Sequence, residues 1–138
     1  MARASSLTVM VVDDQSLFRR SLQDRLRSDG YDVVGAENGA EALELLEAAS
    51  NPCVVLLDLA MPVMNGVEFL HALDRRPENG NVRVMLVSGH GVVERVALDS
   101  KRVVARLQKP LEMSELRSAL EAQLGSTAGP HDPPRPLH

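Results

Sequence analysis

A chain of 138 residues with 44% apolar and 25% charged content is long enough for one domain with a real core. Its net charge of −4 argues against a whole-chain electrostatic footprint for nucleic acid or an anionic membrane, and with only Phe18, Phe69 and Tyr31 it has little to stack on bases. A single cysteine, Cys53, excludes an internal disulfide and, lying in an apolar run, reads as a buried thiol in a reducing, cytoplasmic compartment.

The run LTVMVV (7–12) predicts a first strand; it is too short for a signal-peptide core, and nothing later approaches a membrane span. Asp13 and Asp14 follow it directly. Phe18, Leu22 and Leu26 then fall four apart on a helix that Gly30 stops. A weaker strand is predicted at 32–35, followed by a helix with Ala40, Leu43 and Leu46 on one face. CVVLL (53–57) is a continuous apolar run, as in a strand covered on both faces, and it ends at Asp58. A helix near 66–74 leads to RVMLV (83–87), a strand ending at Ser88. Beyond it come a helix near 92–99, a strand at 103–108 ending at Lys109 and Pro110, and a helix over 113–124. From Gly125 the sequence GSTAGPHDPPRPLH has four prolines and no apolar periodicity. It reads as a disordered tail, a truncated linker or a proline-rich ligand. The predicted division is therefore a folded unit over 7–124 and a tail over 125–138.

Five βα alternations imply an α/β fold: a doubly wound parallel sheet with helices on both faces, because right-handed crossovers are nearly obligatory between parallel neighbours. Ligands of such sheets gather beyond the carboxyl ends of the strands. That edge would collect Asp13, Asp14, Asp58, Ser88 and Lys109. Singly, each has a plainer explanation: a helix cap for Asp13 or Asp14, a loop start for Asp58, a turn for Ser88, and solvated surface for Lys109. Together they are harder to dismiss. Carboxylates 4 Å apart repel by about 4 kcal/mol at an effective dielectric of 20, so three of them call for a cation. Mg²⁺ suits an all-oxygen donor set that leaves room for phosphate oxygens, and no His or Cys cluster suggests zinc. Of fifteen basic residues only Lys101 and Lys109 are lysines. A compact ammonium can reach one phosphoryl oxygen where a planar guanidinium would not pack equivalently.

The acidic pair after TVMVV, the block LLDLAMPVMNG with Pro62 and Gly66 four and eight residues beyond Asp58, MLVSGH, and LQKP occur in an order and spacing that resemble the response-regulator receiver domain of two-component phosphorelay signalling. The resemblance covers residues 7–124. It implies a flavodoxin-like (βα)5 fold with strand order 2-1-3-4-5, and Asp58 as the acceptor of a phosphoryl group from a phosphohistidine. It further implies Mg²⁺ held by Asp14, Asp58 and the backbone carbonyl of Ala60, with Asp13 acting mainly through a coordinated water. Ser88 and Lys109 would hold the remaining phosphoryl oxygens, and the Lys109–Pro110 bond would be cis. The implied role is a cytoplasmic signalling domain, not an enzyme acting on other substrates, that promotes its own phosphorylation and slow dephosphorylation. Its partners would be a histidine kinase or histidine phosphotransfer protein and a downstream effector or C-terminal output domain. Phosphorylation-dependent dimerisation is a further expectation, whereas direct contact with nucleic acid or membrane is not.

Two features depart from the family pattern. Arg106 stands three before Lys109, where similar domains carry Tyr or Phe, and DSKRVVARLQKP replaces the usual Ala-Gly step after a short fourth helix. An alternative reading is thus a receiver-shaped interaction module whose output ignores phosphate. A Mg²⁺-dependent phosphohydrolase fits poorly, because its nucleophile and acid should stand two apart and Asp13 and Asp14 are adjacent. Arg95, Lys101, Arg102 and Arg106 make one stretch locally basic, either as a solvated face or as a dock for an acidic partner. His90 either borders the phosphoryl site or is a loop residue, and His71, His131 and His138 have no neighbours that suggest a relay.

Overall fold

The computed structural model describes residues 7–48, 53–58, 66–76, 81–88 and 101–128. Among them the element order is β1 (Thr8–Val12), α1 (Ser16–Ser28), β2 (Asp32–Ala36), α2 (Gly39–Ala48), β3 (Cys53–Asp58), α3 (Gly66–Asp74), β4 (Arg83–Ser88), β5 (Val103–Gln108) and α4 (Met113–Ala128). The expected helix near 92–99 lies outside the described residues, as do Ala60, Pro62, His90, Arg95, His131 and His138.

All five strands are parallel and stand in the order β2-β1-β3-β4-β5. The period-2 alternation of side chains sends successive residues to opposite layers. Met10, Val12, Val55, Leu57, Val84 and Leu86 pack with α2 and α3. Val9, Val11, Val54, Leu56 and Met85 pack with α1 and α4. Every residue of β3 is buried. This is why its sequence is apolar without alternation up to Asp58. Full burial of each such side chain contributes about 1.5–3 kcal/mol, so the two layers together hold the strand ends in place.

Local chemistry sets the helix boundaries. Leu22 and Leu26 bury the inner face of α1, Arg25 and Arg27 complement its carboxyl end, and Gly30 supplies the left-handed turn with φ 101°. At α2 the Glu41 N–H donates to Asn38 Oδ1 and the Glu37 N–H donates to Glu41 Oε1, both at 2.8 Å, a reciprocal cap. The buried face of α2 is Gly39, Ala42, Leu43 and Leu46, and Ala40, expected on it, is exposed. Three-residue steps drift about 60° around a 3.6-residue helix, so Ala40 and Leu46 end far apart on its circumference. The last helix continues to Ala128, four residues past its expected end at 124.

The edge strand β5 holds a feature that the sequence pattern does not announce. Val84 pairs with Val103 but Met85 pairs with Ala105, so Val104 is skipped in a bulge and is 36% exposed. The bulge reverses the faces of the strand. Val103 packs with the α2–α3 layer, whereas Ala105 and Leu107 pack with the α1–α4 layer.

Candidate functional site

The register of the central strands builds the site. Val12 pairs with Leu57, so the next residues, Asp13 and Asp58, leave adjacent strands at the same edge. Asp13 is held from several sides. Its N–H donates to the Ala36 carbonyl (3.1 Å), its Oδ1 accepts from the Gln15 N–H (2.9 Å), and its carbonyl accepts from Arg19 Nη1 (2.8 Å). The residue that caps α1 is Gln15, with no side-chain cap bond, so neither Asp13 nor Asp14 serves as that N-cap.

Asp13 and Asp58 are buried and Asp14 is exposed, and each offers a carboxylate oxygen within 4.8 Å of the others. Lys109 enters from the strand edge beyond β4. Its Nζ lies 3.2 Å from Asp13 Oδ2 and 3.8 Å from Asp58 Oδ2, and it sits over the Phe18 ring at 4.8 Å from the centroid. The following Lys109–Pro110 peptide bond is cis. Three converging carboxylates concentrate negative charge, and burial of such charge is costly unless it is compensated. Hard carboxylate oxygens with one solvent-facing member fit a divalent cation that keeps part of its water shell, as Mg²⁺ does.

Ser88 ends β4 in register with Gln108, one position past the Val87 that pairs with Asp58, so its backbone belongs to the same edge. Ala60 lies outside the described residues. Arg106 is not part of the cluster; it is exposed on β5 in an open groove with Leu107, Ser114, Glu115, Ser118 and Ala119. The basic stretch is not uniform either. Lys101 and Arg106 are exposed, but the Arg102 side chain is only 13% exposed and turns inward to Asp74, Leu73 and Val82.

Among the described residues, Phe18 and Arg19, both half-buried in the first turn of α1, also reach the site although sequence reasoning did not assign them to it. The available signal was a lone aromatic and a cation one turn beyond an acidic pair. Cys53 is unsuited to nucleophilic chemistry, since burial pushes its thiol up to about 12. Tyr31 is also pushed up, by burial first and then by Glu121 and Asp29, but it precedes β2 at the far end of the sheet from Asp13.

A family model described as the response regulator receiver domain matches residues 9–121. The chain is 31% identical over 118 residues to sporulation initiation phosphotransferase F of Bacillus subtilis (strain 168), a match that covers 84% of this chain and 92% of that protein. It is 34% identical over 128 residues to response regulator MprA of Mycobacterium sp. (strain KMS), covering 93% of this chain and 55% of that protein. The chain thus spans about half the length of MprA. Its fold is similar to that of the response regulator protein TrrA from Thermotoga maritima, solved in complex with Mg(2+)-BeF, with a TM-score of 0.71, 27% identity, and coverage of 83% of this chain and 96% of that one.

Proposed function

The chain belongs to the response-regulator receiver family, and from that premise we propose that Asp58 accepts a phosphoryl group in a Mg²⁺-dependent reaction and that the acyl phosphate switches partner interactions. The observation that carries this reading is the convergence of Asp13, Asp14 and Asp58 oxygens within 4.8 Å, with the Lys109 ammonium beside two of them.

Asp58 needs no separate base, because an ionised carboxylate is already a nucleophile. One of its oxygens forms a bond to phosphorus while the bond from phosphorus to the donor's imidazole nitrogen breaks. That nitrogen leaves with the electron pair and is protonated. Asp14 and Asp58 would hold Mg²⁺, with Asp13 acting through a water and the Ala60 carbonyl completing the set. The ion, when bound, neutralises charge between the nucleophile and the incoming phosphoryl group. Lys109, already within reach of Asp58, would turn its ammonium to a phosphoryl oxygen, and Ser88 would donate to another. Catalysis on this reading is positioning and electrostatics. Water attack on the acyl phosphate would later release inorganic phosphate and restore Asp58. The Mg(2+)-BeF named for the TrrA structure supports the assignment of the ion.

Membership of the family favours this reading over an interaction module indifferent to phosphate. The donor would be a histidine kinase or histidine phosphotransfer protein, and the output an effector or a C-terminal domain of the kind that the greater length of MprA leaves room for. The receiver unit would span 7–124, its last helix running on, with a proline-rich linker or tail beyond. A cytoplasmic setting fits the buried, unpaired Cys53 thiol. Among the described residues no helix is long and apolar enough to cross a membrane.

Incubation with a small acyl-phosphate donor and Mg²⁺, followed by intact mass, tests the assignment. The wild-type protein should gain one phosphoryl group and Asp58→Asn none. A gain in both proteins would displace Asp58 from its role.

A further inference from the structure

The chain has two phenylalanines and no tryptophan, and the two Phe side chains are used differently. Phe69 is fully buried in the α2–α3 layer. Phe18, in the first turn of α1, is only half-buried and lies with its ring 4.8 Å from Lys109 Nζ. A packing role alone would be met by an aliphatic residue there, since Phe18 is a partly buried member of the cluster around Leu22 and Leu26.

Lys109 needs an anchor of its own. Its stem has four carbons, and the groups that draw its ammonium inward are Asp13 Oδ2 at 3.2 Å and Asp58 Oδ2 at 3.8 Å. Those same carboxylates belong to the cluster suited to a cation. Their hold on the ammonium weakens once their charge is shared with a metal. The attraction of an ammonium to the face of an aromatic ring comes from the ring quadrupole and does not depend on the charge state of the carboxylates. Arg19, the next residue, donates to the Asp13 carbonyl at 2.8 Å, so the same turn of α1 is tied to the end of β1 and carries the ring at a set height over the site.

We propose that Phe18 is a positioning residue that keeps the Lys109 ammonium beside Asp58 through a cation–π contact. The inference rests on the phosphoacceptor reading of Asp58. Phe18 touches neither the phosphoryl group nor the metal; it acts through Lys109.

The lysine content makes the contact measurable. Labelling lysine with ¹³C at the ε position gives two signals, one from exposed Lys101 as an internal reference and one from Lys109. In metal-free wild type the Lys109 ε-CH₂ protons should be shifted upfield of those of Lys101 by the ring. Phe18→Leu should abolish that difference, leave the melting temperature nearly unchanged, and slow phosphorylation by acetyl phosphate at saturating Mg²⁺ by roughly 3- to 10-fold. Phe18→Trp, which keeps an aromatic face, should retain both the shift and the rate. An unmoved Lys109 signal in Phe18→Leu, or equal rates for the Leu and Trp variants, would overturn the proposal. Failure of the underlying reading has a separate signature. A wild-type protein that takes up no phosphoryl group removes both, whereas uptake on Asp58 that is indifferent to Phe18 removes only this one.

Discussion

Asp13 and Cys53 show how differently buried side chains are accommodated in one small domain. Each Asp13 carboxylate oxygen accepts one bond, Oδ1 from the Gln15 N–H and Oδ2 from the Lys109 ammonium. Cys53, at the start of β3, is surrounded by apolar side chains, and burial drives its thiol from an ordinary 9.0 up to about 12. That shift has a consequence for stability. Below pH 9 the thiol is protonated in both the folded and unfolded chain and costs nothing. As pH rises from about 9 toward 12 the unfolded thiol ionises and the folded one does not, so unfolding releases a proton and stability falls. Urea unfolding between pH 8 and 11 should show this decline, and Cys53→Ala should flatten it. A remaining slope of the same sign is expected from Tyr31, which is raised by burial and by Glu121 and Asp29.

Arginine side chains join elements on both faces of the sheet. At the end away from the aspartates, the Arg102 guanidinium donates to Asp74 Oδ1 (3.0 Å), the Leu73 carbonyl (3.1 Å) and the Val82 carbonyl (3.2 Å). It thereby ties the carboxyl end of α3 to the entry of β4 and the start of β5. Arg102 serves its three acceptors from three separate nitrogens held in one plane, whereas a lysine would have to serve all three from a single nitrogen. Arg102→Ala should therefore destabilise the fold by about 1.5–3 kcal/mol in urea unfolding, with Arg102→Lys recovering only a fraction. Phosphoryl uptake by the folded fraction should be unchanged, because these contacts are at the opposite end from Asp58. On the other face, Arg117 of α4 pairs with Asp29 at 2.9 Å, and that bond raises the already basic guanidinium further. Arg117 is exposed, so this link fixes orientation more than it adds stability.

For the molecule as a whole, a cation held at the acidic edge would couple folding to cation concentration. A ligand that binds only the folded state stabilises it by RT ln(1 + [L]/Kd), about 2.7 kcal/mol at a hundredfold excess over Kd. The melting temperature should thus climb with added Mg²⁺ in wild type. In Asp14→Asn the climb should be strongly reduced, while the metal-free protein melts slightly higher because one of three crowded charges is gone. A wild-type melting temperature indifferent to Mg²⁺ would count against the cation site. Asp14 faces solvent while Asp13 and Asp58 are buried, so an ion could enter without unfolding the edge.

Strand and helix periods, the apolar run that ends at Asp58, and the position of Asp13, Asp14, Asp58, Ser88 and Lys109 at or just past the ends of predicted strands were legible in the sequence, because each depends on a residue and its near neighbours along the chain. Burial on both faces is what makes β3 continuously apolar, so the doubly wound sheet could be read from it as well. The bulge at Val104, the inward turn of Arg102 and the placing of Phe18 over Lys109 came only from tertiary structure. They depend on register between strands and on packing between groups as many as 91 residues apart in sequence, as Phe18 and Lys109 are. No local pattern encodes such pairings, because the energy that selects them comes from partners that meet only once the sheet has formed.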